Sequence, residues 1–328
     1  MTTMRWAVAQ SRMSEDPGDA AAVRAAGAEI RALMHEAAAG GARLVQFPEG
    51  AIVYPSKHVM SSSGPGDVSD ADWTRADWDL LREEAESIAR LAAELRIWVA
   101  FGSIHPLTPP HRPHNSYYVV SDRGELTGRY DKRFLSNTEL TWMYSPGTEP
   151  LVFEVDGVRF GVALCIEANF PHLFEEYERL DVDAVLLSVM VDDAMRAEIG
   201  RSYAALFGYW VGYSVPARFG STVPSGIAAP GGRWVARCPA EDRSVGLGRG
   251  MCARRVVRGP EPAHAADPDA ARRRLGSGPA ASGRGRGPGG RYGHGASHRT
   301  TRRHRAPGDD DGARRGHCRV AGRARPRR

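Results

Sequence analysis

Short apolar runs rich in Val, Ile and Leu recur along this chain, and stretches of helical periodicity separate most of them. Runs at 4–10, 42–47, 97–104, 184–189 and 211–216 read as strands. Between the first two, Val23, Ile30, Leu33, Met34 and Ala37 recur at helical spacing, and Gly40-Gly41 closes the helix. Asp16-Pro17 predicts its start, with Asp as the N-cap and Pro at the first helical position. Trp78, Leu81, Ala85, Ile88, Leu91, Ala92 and Leu95 form the clearest apolar stripe. A further helix is expected over 195–210, and 225–237 reads as strand, tight turn, strand. Alternation alone would predict a purely parallel sheet. However, Asp122-Arg123-Gly124 joins 115–121 to 125–130, and Asp156-Gly157 joins 151–155 to 158–164, both as hairpins. The pattern therefore predicts an α/β fold whose mixed sheets are layered with helices.

Composition adds limits. Of the 328 residues, 42% are hydrophobic and 25% charged, as in soluble globular proteins. No apolar run is long enough to cross a membrane, and the N-terminus enters a strand-like run without a signal peptide. Cys165, Cys238, Cys252 and Cys318 form no CxxC pair and no metal spacing, so a reduced, cytoplasmic protein is expected. His105, His111 and His114 flank a proline-rich loop at spacings that fit no standard metal site. The net charge of +5 is unevenly spread: residues 253–328 hold 20 Arg, no Lys and 6 acids, a charge of +14, which leaves −9 for the rest. The expected organisation is a globular domain over 1–245 and a basic Arg/Gly/Pro/Ala-rich tail over 246–328.

Three residues stand just past apolar runs without being needed for packing. Glu49 follows Phe47-Pro48, Lys132 follows Tyr130-Asp131, and Cys165 follows 161–164. Each has an ordinary reading alone: a solvated loop carboxylate, a surface lysine, an inert small hydrophobe. Asn169 and Pro171 open a helix whose apolar face is Phe170, Leu173, Phe174, Tyr177 and Leu180, so Cys165 is expected near a helix N-terminus that favours a thiolate. Lysine is rare: among 44 Lys and Arg residues only Lys57 and Lys132 are lysine, and only lysine can lose its proton at accessible pH. Together the three specify a chemistry. Cys attacks an acyl carbon, Glu takes its proton, and Lys with a backbone N–H holds the developing oxyanion.

These residues carry a resemblance. Phe47-Pro48-Glu49, then Tyr130-Asp131-Lys132 with Leu135 and Glu139, then Gly161-Val-Ala-Leu-Cys165-Ile-Glu167 with Phe170-Pro171, and finally Ser225-Gly-Ile…Pro230-Gly-Gly232 resemble the motifs of the nitrilase superfamily of carbon–nitrogen hydrolases. The resemblance spans about residues 4 to 240. It implies an αββα four-layer sandwich paired into a homodimer, with Glu49 as general base, Cys165 as nucleophile, and Lys132 and the Ile166 N–H holding negative charge. Glu139 would be the second acid, positioning Lys132 or substrate. The implied substrate is a small amide or nitrile, with no metal or organic cofactor. Ile166 stands where true nitrilases typically carry Trp, which leans toward amidase chemistry. Ala217-Arg218 stands where the family often has Ala-Asn; Arg218 either binds a substrate carboxylate or faces solvent.

From about Ser244 the resemblance stops, where one more core strand is due. Leu275 is the only Leu, Ile, Met, Phe or Trp after Ala253, too little to fold alone. A genuine basic arm would bind nucleic acid through phosphate charge, giving an inactive scaffold as the alternative function. A shifted reading frame in GC-rich coding DNA accounts better for so abrupt a switch, and it predicts that the last sheet element is missing.

Overall fold

The computed structural model describes residues 3–240 and 244–252. The chain runs β1 (Thr3–Gln10), α1 (Ala20–Ala39), β2 (Leu44–Gln46), α2 (Trp78–Leu95), β3 (Trp98–His105), β4 (His114–Val120) and β5 (Leu126–Asp131). It continues through β6 (Val152–Val155), β7 (Val158–Leu164), α3 (Pro171–Arg179), β8 (Ala184–Ser188), α4 (Ala194–Phe207), β9 (Trp210–Ser214), β10 (Gly226–Ala228), β11 (Trp234–Arg237) and β12 (Ser244–Cys252). Two six-stranded sheets result, ordered β12-β1-β2-β3-β4-β5 and β11-β10-β9-β8-β7-β6. Their centres are parallel, β1-β2-β3 in one and β7-β8-β9 in the other, and the hairpins add antiparallel flanks.

Strand alternation builds the layers. Trp6 and Val8 of β1 face the second sheet, where Phe160, Val162 and Leu164 of β7 and Leu186 of β8 meet them. Ala7 and Ala9 face the other way, onto Val23, Ile30 and Leu33 of α1 and Ile88 of α2. Ala163, Val185 and Leu187 likewise face Phe174 and Tyr177 of α3 and Tyr203 of α4. Period-two strands between amphipathic helices therefore give the αββα sandwich in order helix, sheet, sheet, helix.

Two boundaries differ from the sequence reading. The first helix is capped by Asp19, whose carboxylate accepts from Ala22 N–H at 3.0 Å. Asp16 instead closes a preceding turn, accepting from Gly18 N–H at 2.9 Å. The helix expected over 195–210 stops at Phe207, because Gly208 turns left-handed at φ 66° and Trp210 opens β9.

The larger correction concerns the end of the chain. The core strand expected to be missing is present. β12 pairs antiparallel with β1 from Gln10↔Ser244 to Thr3↔Cys252, and the expected boundary between residues 245 and 246 falls inside it. Its glycines disguised it as tail composition. Val245 and Leu247 alternate onto the α1 side, while Gly246 and Gly248 pack where side chains would collide. A Cβ at Gly248 would meet Ile227 at 2.7 Å, and one at Gly246 would meet Cys238 N at 3.1 Å. Small residues are needed there for the second sheet to approach. Residues 253–328, on which the arm and reading-frame readings rest, lie outside the described residues.

Ending the chain after Ala240 should therefore expose the edge of β1 and abolish cooperative thermal unfolding, with aggregation in its place. A chain ended after Cys252 should melt cooperatively. Equal melting of the two chains, followed by circular dichroism, would show that β12 contributes nothing.

Candidate active site

Glu49, Lys132 and Cys165 come from different strands, yet topology brings them to one end of the sandwich. β2 and β7 run parallel to their sheets' central strands, so Glu49 and Cys165 both lie beyond carboxyl ends, where α/β folds collect ligands. β5 returns antiparallel along β4, which places Lys132 beside Asn115 at the same end; its backbone N–H donates to the Asn115 carbonyl at 2.9 Å. The Glu49 loop lies directly on β3. A Cβ at Gly102 would fall 2.1 Å from Gly50 N, so only glycine allows that approach.

Lys132 is almost fully buried, and its Nζ donates to Glu49 Oε1 and Glu139 Oε1 at 2.8 Å each. Asn115 Nδ2 ties the same two oxygens, at 2.9 and 3.3 Å. Glu139 opens a single π-helical turn, Glu139–Met143, of the kind that recurs at functional sites. Its other oxygen accepts from Ser136 N–H at 2.7 Å. Glu49 Oε2 is buried with no protein hydrogen-bond partner. The carboxylates are thus unequal. Burial pushes the Glu49 carboxyl up despite Lys132. Glu139 is also buried, but Lys132 and Ser136 hold it below the ordinary range. Burial opposes the charge on Lys132, and the two acids outweigh it, holding the ammonium well above its usual value. Of this pair Glu49 is the carboxylate that can accept a proton, and Lys132 stays charged.

Cys165 follows β7 directly and has φ 46°, a left-handed conformation rare outside glycine and costly to hold. A 3₁₀ turn, Cys165–Asn169, separates it from α3. The sequence reading placed the thiol at a helix start favouring the thiolate, and here the structure differs. Burial and the charge of Glu49 push the thiol up to about 12, although Lys132 and the Met190 N–H favour the anion. The resting group is a thiol beside a base. Ile166 N–H lies in the first turn of that 3₁₀ segment, where no intrahelical acceptor is required.

Glu167 stands out in the sequence only as part of a motif, yet it is wholly buried and joins two of the site's loops. Its carboxylate accepts from Leu164 N–H (2.7 Å), Arg133 N–H (2.8 Å), Phe134 N–H (3.0 Å) and Tyr130 Oη (2.9 Å). The lysine segment and the cysteine turn therefore hang on one side chain. Asn115 had no sequence signal, because an Asn at the start of a strand looks like any turn residue. A pocket of about 330 Å³ opens onto Glu139; Tyr54, Lys57, Tyr144, Met190 and Arg218 are among the residues lining it. Arg218 pairs with Glu15 and stacks over Phe219 at 4.7 Å. Two of the three histidines of the proline-rich region are engaged elsewhere: His105 bonds Tyr118 Oη at 2.9 Å and His114 the Ser145 carbonyl at 2.8 Å.

Residues 7–248 match the family model of carbon-nitrogen hydrolases, and the chain belongs to that family. A Mycobacterium tuberculosis protein named as a hydrolase is 31% identical over 182 residues, covering 54% of this chain and 57% of that one. A glutamine-dependent NAD(+) synthetase of Acinetobacter baylyi is 27% identical over 157 residues, 47% of this chain and 26% of its own. The matches thus span little more than half, or a quarter, of those relatives. Among solved structures, a mutant of the Nesterenkonia AN1 amidase from the nitrilase superfamily superposes with a TM-score of 0.62 at 15% identity, covering 76% of this chain and 91% of that one. Another mutant of that amidase, with the acetamide moiety of fluoroacetamide added to its active-site cysteine, has a TM-score of 0.58 at 16% identity, covering 75% and 89%. These likenesses show the fold.

Two outcomes follow from the geometry. Alkylation of Cys165 by iodoacetamide, read by mass spectrometry against Cys165→Ala, should keep accelerating as pH rises through 9, the ordinary thiol value. A plateau there would contradict the raised thiol. Glu167→Gln should lower stability by roughly 3 kcal/mol, since a buried charge accepting several backbone N–H groups is replaced by an amide that cannot accept them all. It should reduce kcat more than it changes KM.

Proposed function

We propose that this chain is a cysteine amidohydrolase that cleaves a small linear amide and releases ammonia or an amine. The observation that carries the reading is Lys132 held 2.8 Å from both Glu49 and Glu139 beside the strained Cys165. Glu49, the more basic carboxylate, removes the thiol proton as sulfur attacks the amide carbon. Lys132 and the Ile166 N–H stabilise the oxyanion of the tetrahedral intermediate. Glu49 returns the proton to the leaving amine, and a thioester remains. Water, deprotonated by Glu49, then attacks the thioester and frees the carboxylic acid and the thiol. Glu139 keeps Lys132 charged and in place throughout. Every step uses groups of the chain and water.

A nitrile would pass through a thioimidate on the same residues; Ile166 in place of Trp favours the amide. The reading carries with it a homo-oligomer acting in the cytoplasm on a small-molecule substrate, without metal or organic cofactor. The described residues include no helix long and apolar enough to cross a membrane. A nucleic-acid-binding scaffold would need its basic segment, which lies outside the described residues.

Ammonia release from a panel of small amides and nitriles tests the proposal. Wild type should release ammonia from an amide faster than from the matching nitrile, and Cys165→Ala should release none. Faster nitrile turnover would select the alternative. The acid limb of kcat/KM should lie above pH 4.5, because Glu49 must be ionised and its carboxyl is raised above that ordinary value. Activity is then lost as pH falls through the raised value. Lys132→Met should remove activity and cost about 3–5 kcal/mol of stability by leaving two buried carboxylates unpaired.

A further inference from the structure

A second cavity lies between α2 and the β3–β4–β5 end of the first sheet. It measures about 410 Å³, the size of a small-molecule site, and shares no lining residue with the pocket beside Glu139. Its helix wall is one stripe, Trp78, Leu81, Ala85 and Ala89, at spacings of three and four. The short side chains of Ala85 and Ala89 keep that wall back from the sheet. On the sheet side Phe101 of β3 and Tyr118 of β4 stack, with ring centroids 5.6 Å apart. The β4–β5 turn closes one end: a Cβ at Gly124 would stand 2.7 Å from the Ala89 carbonyl oxygen. Leu126, at the start of β5, is 60% exposed and supplies an apolar lip. Backbone contacts therefore preform the cavity.

The polar groups of its lining specify what fits. Arg82 and Glu86 pair with each other at 3.8 Å, and Arg82 also pairs with Asp79 at 2.8 Å, so an ionic ligand meets no unpaired counter-charge there. His105 also lines the cavity, and burial, then Arg129, hold its imidazole below the usual value, which keeps the ring neutral. Tyr118 Oη donates its single proton to the Ile104 carbonyl at 3.3 Å. The 2.9 Å contact between Tyr118 Oη and His105 Nδ1 is therefore donated by the imidazole, and Nε2 keeps its lone pair. We propose that this cavity is a second ligand site, separate from the catalytic one, which takes a neutral aromatic molecule carrying a hydroxyl, with His105 Nε2 accepting the hydroxyl proton. Trp78, Phe101 and Tyr118 supply ring faces and edges for the aromatic body. Ser103, whose hydroxyl can donate or accept, imposes no further choice.

Calorimetry at neutral pH with 2-naphthol, 2-methoxynaphthalene and 2-naphthoate tests the site in wild type, His105→Phe and Ala85→Leu. Wild type should bind 2-naphthol roughly fivefold or more tighter than the methoxy compound, the contribution of one hydrogen bond, although the methoxy compound is the more apolar. The naphthoate should bind more weakly than either. His105→Phe should still bind both neutral compounds and lose the difference between them. Ala85→Leu, which fills the cavity, should weaken both by about tenfold or more. Ala85 and His105 are only half-buried, so both variants should fold, which circular dichroism checks; the wild-type series reads the proposal without them. Failure of wild type to bind 2-naphthol, equal affinity for the hydroxyl and methoxy compounds, tighter binding of the naphthoate, or binding of 2-naphthol unmoved by Ala85→Leu would overturn the inference. So would sedimentation in which Ala85→Leu dissociates an assembly of this chain that 2-naphthol leaves intact, because a second copy would then cover the cavity.

Discussion

Lys132 between Glu49 and Glu139 is the constraint around which the rest of the structure is arranged. An ammonium and two carboxylates out of water are expensive unless geometry and hydrogen bonds are nearly complete. The fold supplies that completion from four directions: Asn115 from β4, Ser136 from the loop after β5, Tyr54 from the loop after β2, and the π turn that presents Glu139. Within the Glu49–Lys132–Glu139 cluster itself, Glu49 Oε2 is left without a protein partner. An unequal environment for two acids sharing one cation separates their roles: one is committed to holding charge and the other is free to exchange a proton.

Beneath this cluster the sheets are joined by hydrogen bonds as well as apolar packing. Tyr117 Oη donates to the Phe47 carbonyl at 2.6 Å, and Ser188 Oγ lies 2.9 Å from that carbonyl and 3.0 Å from Gln46 Nε2. Phe47 is two residues before Glu49, so the belt fixes the approach of the acid loop from the second sheet. Glu167 does the same for the lysine segment and the cysteine turn. The reacting groups are on loops, but each loop is pinned by a buried polar contact within a few residues, so little backbone freedom remains at the site.

The layered architecture and the three reactive residues were legible in the sequence because each left a local mark. Periodicity distinguished strand from helix, turn dipeptides marked the hairpins, and Glu49, Lys132 and Cys165 each broke an apolar run. What was not legible depended on neighbours distant in sequence. Asn115 matters because β4 and β5 pair, and Glu167 because it reaches from the end of β7 in one sheet to Arg133 and Phe134 after β5 in the other. The raised Cys165 thiol follows from burial beside Glu49, which outweighs the helix-terminus effect that spacing suggested. β12 was missed because its glycines answer to Ile227 and Cys238, residues on another sheet, and compositional reasoning weighs a strand by its own side chains alone.

The pairing of β1 with β12 has a consequence for how the molecule is made. Thr3 sits opposite Cys252, so β1 receives its outer partner only after every residue of the site has been synthesised. Closing so long a loop comes late and slowly. Until then β1 has one neighbour and an open edge, and its capture by another chain competes with completion. The glycines that let β12 fit against the second sheet also keep it weakly committed to strand structure before it docks. The nascent chain thus carries a folded-looking catalytic end and an unsealed flank, and the seven pairs from Gln10↔Ser244 to Thr3↔Cys252 convert one into the other.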